Sequence, residues 1–313
     1  MSSPVVSVID IGSNSIKILV ATRRDDGVIE ALKTQTIDTR ISAGISQAEP
    51  RLSEDGMNRG LAAIQDLLAT AAPFAPTSTV LVATSAVRDA ANGPEFRQRV
   101  LDATGHAIRI LTGDEEANLI GLGLTCDPAL AHLRDFYVFD LGGGSLECLA
   151  FRDRRIEQEA SLRLGCVRMT EKFIADPQAP LRPEDCTALA LHVRDTIKQS
   201  GFRFNLPGAE AVFTGGTFTS IRAIKAALHN VSLEDTPSVV TTATVYDLLD
   251  DVCPRSLEDR KKIPGMPAAR ADVFPAALVT VLTVAEFGLF ERFHHSLYNL
   301  RWGLAAASLE SRA

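Results

Sequence analysis

The sequence predicts an α/β protein built from two similar halves. Short apolar runs rich in β-branched residues alternate with segments of helical periodicity, which is typical of α/β domains. The segment Asp10–Lys17 (DIGSNSIK) has a counterpart 130 positions later in Asp140–Glu147 (DLGGGSLE). The same displacement places Val80–Ala86 on Glu210–Gly216. Two segments that share one offset indicate an internal duplication, and its period is far longer than that of a solenoid repeat.

Each half begins with two strands around a turn and continues through helices and further strands. A β-branched run over Val5–Ile9 precedes the first turn, and the apolar segment Ile18–Val20 follows it. Ser53–Gly56 is a plausible helix start before the helical spacing of Leu61–Ala71. The other predicted elements are strand 79–83, helix 95–103, strand 106–111, helix 114–124, strands near 137, 149 and 156, helix 186–200, strand 211–213, and helices 245–251 and 275–289. After residue 213 the second half is expected to be mostly helical.

Composition and charge exclude several classes of protein. The 313 residues suffice for two domains with separate cores, and 46% hydrophobic with 23% charged residues argue against disorder. The 39 acidic and 32 basic residues give a net charge of -7, which argues against binding of duplex nucleic acid or an anionic membrane. No apolar run reaches the roughly 18 residues of a membrane span, and no secretory signal is recognised. With five scattered cysteines, the chain is expected to be cytoplasmic and its thiols reduced.

Both copies of the duplicated turn have the composition of a phosphate-binding loop. In each, a carboxylate at the end of a strand (Asp10 or Asp140) precedes small residues whose backbone N–H groups can point at an anion. A carboxylate beside a phosphate makes sense if it holds Mg²⁺. An ordinary glycine hairpin would explain either copy alone, but not both at one offset. The phosphate-binding candidates are Gly12, Ser13, Asn14 and Ser15 in the first turn, and Gly142, Gly143, Gly144 and Ser145 in the second.

These motifs, together with several others in the same order, resemble the exopolyphosphatase / guanosine pentaphosphate phosphohydrolase (Ppx/GppA) family. The resemblance covers nearly the whole chain, and its motifs are Asp10–Lys17, Ala83–Arg88, Gly113–Ala117, Asp140–Glu147, Leu164–Arg168, Thr214–Thr217 and Arg270–Val273. It implies the actin-like ATPase fold of sugar kinases and Hsp70, with two ribonuclease-H-like domains and a cleft between them. The domains would be 1–125, joined by the last helix at about 303–313, and 126–302.

The resemblance also implies an activity and roles for individual residues. The reaction would release a terminal phosphate from inorganic polyphosphate or guanosine pentaphosphate, with Mg²⁺ or Mn²⁺ as cofactor. Glu116 matches the catalytic base that activates water, while its neighbour Glu115 is expected to be exposed at the helix start. Arg88 matches a phosphate-binding arginine. Glu147 is placed in the metal or water shell, together with Asp10 and Asp140 as metal ligands.

Other positions have more than one interpretation. Lys17 is expected either to touch a phosphate or to be solvated, and Gly215, Gly216 and Thr217 open a helix whose N-terminus suits an anion. Arg260–Lys262 and Arg270 are able to steer a polyanion, although such a charge run is usually a solvated face.

Trp302 stands where the family commonly has an acid. His294 and His295 have no partner at metal-ligand spacing and are expected at a surface or interface.

Four functions are compatible with these observations. The first is a Mg²⁺-dependent exopolyphosphatase, and the second is a guanosine pentaphosphate (pppGpp) 5'-phosphohydrolase. The third is an ATPase or kinase of the same fold. The fourth is a regulator that binds polyphosphate or alarmone without turnover, which the intact motifs at Glu116 and Asp140 argue against. A homodimer is possible in each case.

Overall fold

The computed structural model describes residues 4–310, and the chain divides into two compact units. Unit 1 comprises the chain up to His132 together with the segment from Tyr298 onward, and unit 2 is Leu133–Leu297. The domain boundaries predicted after residues 125 and 302 lie a few residues from these divisions. A 3-10 turn at Pro128–Leu130, whose cap Asp127 accepts from the Ala129 amide, extends unit 1 beyond its helix.

Eleven strands and eleven helices make up the part of the chain that the structure describes. The strands are β1 (Val5–Ile11), β2 (Ser15–Arg23), β3 (Ile29–Asp38), β4 (Ser78–Ala83), β5 (Ile108–Ile110), β6 (Phe136–Leu141), β7 (Leu146–Arg152), β8 (Arg155–Leu162), β9 (Glu210–Thr214), β10 (Val239–Thr241) and β11 (Arg292–His295). The helices are α1 (Glu54–Ala71), α2 (Ser85–Arg88), α3 (Gly93–Thr104), α4 (Gly113–Thr125), α5 (Cys166–Phe173), α6 (Pro183–Ser200), α7 (Gly216–His229), α8 (Thr242–Val252), α9 (Leu257–Lys261), α10 (Phe274–Gly288) and α11 (Leu300–Glu310).

Unit 1 contains a five-stranded sheet in the order β3-β2-β1-β4-β5. The strands β1, β2 and β3 form an antiparallel meander, while β4 and β5 run parallel to β1. The apolar strand β1 lies at the centre, and its side chains pack with one face of α1 and α3 into the core of the unit. Helix α1 begins where predicted, because the Ser53 side chain accepts a hydrogen bond from the Gly56 amide at 3.0 Å.

Unit 2 repeats this arrangement and extends it by one strand, because β11 runs parallel to β9 as β5 does to β4, and β10 is added beside β11. Its six-stranded sheet has the order β10-β11-β9-β6-β7-β8, in which β6, β7 and β8 form the meander and β9 runs parallel to β6. The chain after residue 213 is mostly helical, as predicted, but the short strands β10 and β11 were not predicted. These strands are only three and four residues long, and β11 is rich in basic and imidazole side chains, so neither shows a hydrophobic period.

Helix α10 is the most apolar helix of unit 2 and lies in its interior. Its residues are buried from Phe274 to Ala285, and it packs against α5, α6 and α8. A helix that is apolar on all sides must be covered on all sides, and the helices packed around α10 provide that cover. None of the helices within residues 4–310 has the length and apolar character needed to cross a membrane.

The predicted fold class is confirmed. In each unit, three antiparallel strands precede parallel strands, which is the strand order of a ribonuclease-H-like domain, and two such units make the actin-like ATPase fold. The duplication is also visible in the structure, because β1, β2 and β4 correspond to β6, β7 and β9 at the offset of the repeated motifs. The repeated turns join β1 to β2 in unit 1 and β6 to β7 in unit 2.

Candidate functional site

The first repeated turn leaves two backbone amides without an internal acceptor. The Gly12 amide closes the turn by donating to the Ser15 carbonyl at 3.2 Å. The amides of Ser13 and Asn14 have no acceptor within residues 4–310. Ser13, Asn14 and Ser15 are all about 4% exposed. Buried N–H groups in a native protein are almost always paired, so this pair is available to a ligand.

The carbonyl groups of the same turn are held by the segment that follows β3. The amides of Thr39 and Arg40 donate to the Asn14 carbonyl at 3.1 and 2.9 Å. The hydroxyl and amide of Ser42 donate to the Ser13 carbonyl at 3.1 and 3.4 Å. Because the carbonyls are fixed on this side, the N–H groups of the turn point away from it.

The second repeated turn has the same internal geometry. The Gly142 amide donates to the Ser145 carbonyl at 3.0 Å, as the Gly12 amide does in the first turn. The amides of Gly143 and Gly144 have no acceptor among the residues described. Each unit therefore carries one turn with two adjacent free N–H groups, which is the composition of an anion-binding nest.

Helix α5 braces the second turn from its carbonyl side. The Val167 amide donates to the Gly143 carbonyl at 2.9 Å, and Nε of Arg168 donates to the Gly144 carbonyl at 2.9 Å. Gly165 precedes α5, and a Cβ there would lie 2.3 Å from backbone atoms of Gly144. Glycine is therefore required at position 165 by close packing of two backbones. Neither this brace nor the one after β3 was predicted.

In unit 1, Asp10 lies opposite Lys17 in the β1–β2 pair. Burial raises the pKa of the Asp10 carboxyl above its ordinary value, while the charges of Lys17 and Arg301 oppose that rise. Arg301 reaches this place from α11 and donates to the Ile18 carbonyl at 3.0 Å. Sequence reasoning assigned no role to Arg301.

In unit 2, Asp140 lies opposite Glu147 at the positions equivalent to Asp10 and Lys17. Directly opposed residues project on one face of an antiparallel pair, so two carboxylates face the same side. Glu147 is 1% exposed and accepts a hydrogen bond from the Ser161 hydroxyl at 2.8 Å. Within residues 4–310, no group of three or more His, Cys, Asp and Glu side chains has the arrangement of a metal site.

Helix α4 separates the roles of two adjacent glutamates. The Thr112 hydroxyl accepts a hydrogen bond from the Glu115 amide at 3.1 Å. In return, the Glu115 carboxylate accepts a hydrogen bond from the Thr112 amide at 2.9 Å. This capping box explains Glu115, which is exposed and also pairs with Arg109 at 2.5 Å. Glu116, one residue on, points inward and is 6% exposed.

Arg88 connects Glu116 with the neighbourhood of the first turn. Its Nη1 lies 3.1 Å from Glu116 Oε2 and 2.9 Å from the Leu111 carbonyl. Helix α2, which ends at Arg88, begins at Ser85, and the Ser85 hydroxyl lies 3.3 Å from that of Ser13. The first turn, Arg88 and Glu116 thus lie at the carboxyl ends of the parallel strands of unit 1.

The start of α7 brings Asp140 together with the predicted Gly215–Thr217 segment in unit 2. Gly215 has φ +95°, and a Cβ there would lie 2.6 Å from Asp140 Oδ1. A Cβ on Gly216 would lie 1.9 Å from Nη2 of Arg270. The Thr217 hydroxyl is buried and has no partner within residues 4–310. The Arg270 guanidinium therefore lies against the first turn of a helix, where the dipole favours an anion.

The basic stretch before Arg270 does not form one surface. Arg260 is 1% exposed and donates to the carbonyls of Ala179 and Ala271 at 2.6 and 3.3 Å. Lys261 and Lys262 are exposed and pair with acids on their own helix, Glu258 and Asp259. Arg260 thus has a structural role that neither interpretation of the stretch predicted, and only Arg270 lies beside other candidate residues.

Comparison with known proteins decides the family. A model of the Ppx/GppA phosphatase family matches residues 19–312, which is nearly the whole chain. The chain belongs to the Ppx/GppA phosphatase family. The resemblance inferred from the motifs is therefore confirmed.

Several known proteins share the sequence or fold of this Ppx/GppA protein. An uncharacterized protein of Streptomyces coelicolor, SCO0757, is 29% identical over 272 residues, which are 85% of this chain and 78% of that protein. The structure of an exopolyphosphatase from Cytophaga hutchinsonii has a TM-score of 0.86 at 20% identity, covering 98% of both chains. The Aquifex aeolicus PPX-GPPA enzyme has a TM-score of 0.79 at 23% identity, covering 98% of this chain and all of the other. At these identities the two structures show a common fold.

The indole of Trp302 has a clear structural setting. Trp302, where the resemblance led us to expect an acid, is 8% exposed and stacks on Tyr298 with ring centroids 4.0 Å apart. The indole packs in unit 1 on α11, the helix that also carries Arg301. Trp302 therefore makes an aromatic packing contact in unit 1.

Proposed function

We propose that this Ppx/GppA protein is a hydrolase that releases the terminal phosphate of inorganic polyphosphate, with Glu116 activating the attacking water. The observation that supports this most is the arrangement in unit 1. A buried glutamate is held by Arg88, and α2 joins that pair to a turn with two unpaired amides. A base, a cation and an anion-binding nest at one edge of a sheet are the components that phosphoryl transfer to water needs.

The chemistry assigned to each residue follows from its position. Glu116 would accept a proton from water while the water oxygen bonds to the terminal phosphorus, and the bridging P–O bond would break with the shortened chain leaving. Arg88 fixes the carboxylate through a 3.1 Å ion pair and has further N–H groups to offer a phosphate oxygen. Electrostatic stabilisation supplies most of the rate acceleration in this kind of reaction.

Polyphosphate suits the other candidate groups. The amides of Ser13, Asn14, Gly143 and Gly144 are main-chain donors without an internal acceptor, and such donors bind phosphate oxygens. Arg270 at the start of α7 adds a cation, and the burial of Arg260 leaves Arg270 as the member of the basic stretch placed for this role. Lys17, opposite Asp10, is a further candidate for phosphate contact.

A divalent cation, Mg²⁺ or Mn²⁺, is the proposed cofactor. The opposed carboxylates of Asp140 and Glu147 are hard oxygen ligands on one face of a strand pair, and they fit such an ion with water and phosphate completing its shell. When bound, the ion would neutralise phosphate charge. Asp10 stays a predicted ligand, although Lys17 already places a positive charge opposite it.

Parallel assays of phosphate release test the substrate. Short polyphosphate, long polyphosphate, pppGpp and ATP would be compared at equal concentration with Mg²⁺, with Mn²⁺ and with a chelator. We expect the highest kcat/KM on polyphosphate and loss of release with the chelator. Faster release from pppGpp would reassign the substrate, and ATP turnover that requires an acceptor would indicate a kinase. Tight binding of polyphosphate without release would indicate a regulator.

A matched pair of variants tests the mechanism. Glu116→Gln keeps the shape of the side chain but cannot accept the proton, so kcat should fall about 10²–10⁴-fold. Glu115→Gln alters the adjacent carboxylate, which caps the helix and pairs with Arg109 at the surface, and should keep kcat near that of the wild type. Equal losses in both variants would contradict the assignment of Glu116 as the base.

A further inference from the structure

Arg40, which the proposed mechanism does not use, holds the first turn through Asn14. Its Nε and Nη2 atoms both lie 3.2 Å from Oδ1 of Asn14, and its amide donates to the Asn14 carbonyl at 2.9 Å. A guanidinium has donors and no acceptor, so the atom that faces it must be the oxygen of the carboxamide. The orientation of the Asn14 side chain is therefore fixed by charge and not only by shape.

The other end of this carboxamide is a buried donor without a protein partner. Asn14 is 4% exposed, and its Nδ2 has no acceptor within residues 4–310. An unsatisfied buried NH₂ group is costly, and native proteins keep one only where something else satisfies it. Nδ2 belongs to the same turn as the amides of Ser13 and Asn14, which also lack an acceptor. The turn therefore has three hydrogen-bond donors that one anion could satisfy.

The backbone at Arg40 is in an unfavourable conformation. Its φ is +43°, in the left-handed region that residues with a Cβ rarely adopt. Such strain persists where the surroundings demand it and is frequent at functional sites. Here it allows the amide and the side chain of Arg40 to reach the carbonyl and the carboxamide of Asn14 together.

We propose that Arg40 is a positioning residue for substrate phosphate. It holds the Asn14 carboxamide by its oxygen, so that Nδ2 donates to a phosphate oxygen beside the two free amides of the turn. Arg40 acts through Asn14 and does not itself bind the phosphate at this place. The inference rests on the proposed function for the identity of the substrate, while the binding step requires only a polyphosphate-like anion.

A double-mutant cycle tests whether Arg40 acts through Asn14. The probe is imidotriphosphate, in which nitrogen replaces the bridging oxygens, and its Kd would be measured by calorimetry on the full-length protein. We expect Arg40→Met and Asn14→Ala each to raise the Kd about tenfold, and the double variant to match Asn14→Ala. An additive effect of about 100-fold would overturn the proposal, because Arg40 would then contact the anion independently.

Further variants separate positioning from folding. Asn14→Asp replaces the unpaired Nδ2 donor by an oxygen, which repels a phosphate, so the Kd should rise at least about tenfold. The new carboxylate makes an ion pair with Arg40, so the Tm should be kept or raised. Arg40→Gly accepts the left-handed backbone without strain and should bind as weakly as Arg40→Met even if the latter folds poorly. Arg97→Met is the control, since Arg97 donates to the Ile108 carbonyl in unit 1 and its loss should leave the Kd unchanged.

Turnover on short polyphosphate distinguishes this inference from the proposed function. A positioning role in binding predicts a raised KM for Arg40→Met with kcat within about twofold of the wild type. If the wild type releases no phosphate but Arg40→Met still weakens imidotriphosphate binding, the proposed function fails and the inference stands. If the wild type is active and neither Arg40→Met nor Asn14→Asp weakens binding, the inference alone fails.

Discussion

Glu115 and Glu116 are adjacent in sequence and have different roles in the structure. Successive residues of a helix project about 100° apart, so one carboxylate caps α4 at the surface while the other points at Arg88. An acid-rich helix start predicts the cap by itself. The assignment of Glu116 as the inward residue came from the resemblance, and only the tertiary structure supplies its contact with Arg88.

His295 is a second residue whose surroundings the sequence did not reveal. It was expected at a surface or interface, but it is 5% exposed and its Nδ1 lies 3.1 Å from Nη1 of Arg222. Burial, with the positive charge of Arg222 adding to it, lowers the pKa of His295 to about 3. The imidazole of His295 therefore stays neutral, and its Nδ1 can accept a hydrogen bond from Arg222.

The lowered pKa of His295 makes stability depend on pH. Between the unfolded pKa of about 6.5 and the folded value, the unfolded chain binds a proton that the native protein does not, so stability is lost as pH falls. This residue should lower the free energy of unfolding by about 2 kcal/mol from pH 7 to pH 5. Urea titrations at both pH values would measure it, and His295→Gln should flatten the dependence.

The surface residue His229 provides the control for this prediction. It is exposed at the end of α7, and His229→Gln should leave the pH dependence of unfolding as it is in the wild type. If both variants changed the dependence equally, or if neither did, the source of the acid sensitivity would lie elsewhere than at His295.

At the scale of elements, the two repeated turns depend on close contact with the segments that brace them. Gly165→Ala should destabilise unit 2 by about 1–3 kcal/mol, because the new Cβ would overlap the backbone of Gly144 and no flexible side chain is there to move. Hydrogen exchange of α5 and β6 would report the loss. The same strain should weaken anion binding at the second turn.

A substitution inside the same turn provides a comparison. A Cβ on Gly142 would meet only the Ser145 carbonyl oxygen, at an ordinary distance of 3.5 Å, so Gly142→Ala should leave the stability of unit 2 nearly unchanged. A larger loss for Gly142→Ala than for Gly165→Ala would show that the packing argument is wrong.

The accuracy of the predicted elements depended on their length and on their pattern. Helix α1 and strands β1, β4 and β9 have long or strongly apolar patterns with clear boundaries, and all of them lie where predicted. The short strands β10 and β11 were missed because their residues become a strand only by pairing with distant segments, β11 with β9 and β10 with β11.

At the scale of the whole molecule, the chain returns to its first unit at its end. Helix α11 packs on α4 and β1, where a Cβ on Gly303 would lie 1.9 Å from the Leu119 carbonyl oxygen and one on Gly123 would lie 2.1 Å from that of Asn299. Small residues at both contact points let the two backbones meet. Unit 1 is thus completed by the last described residues of the chain.

A bulky residue at this contact should destabilise unit 1 selectively. We expect Gly303→Leu to raise hydrogen exchange in α4, β1 and β2 while β6, β7 and β9 in unit 2 keep their protection. Ala307→Leu on the same helix is partly exposed and should have little effect. Equal exchange in both units for Gly303→Leu would contradict the placement of α11.

The sequence by itself determined the α/β class, the duplication, the two turns and, through the resemblance, the family. These properties are encoded locally, in the period of apolar residues, in glycines at fixed offsets and in short motifs. The tertiary structure alone decided which side chains meet. Arg40 at Asn14, Arg168 at Gly144 and Arg270 at Gly216 are contacts between segments far apart in the chain. Such contacts depend on how distant elements pack, and no local pattern in the sequence records that packing.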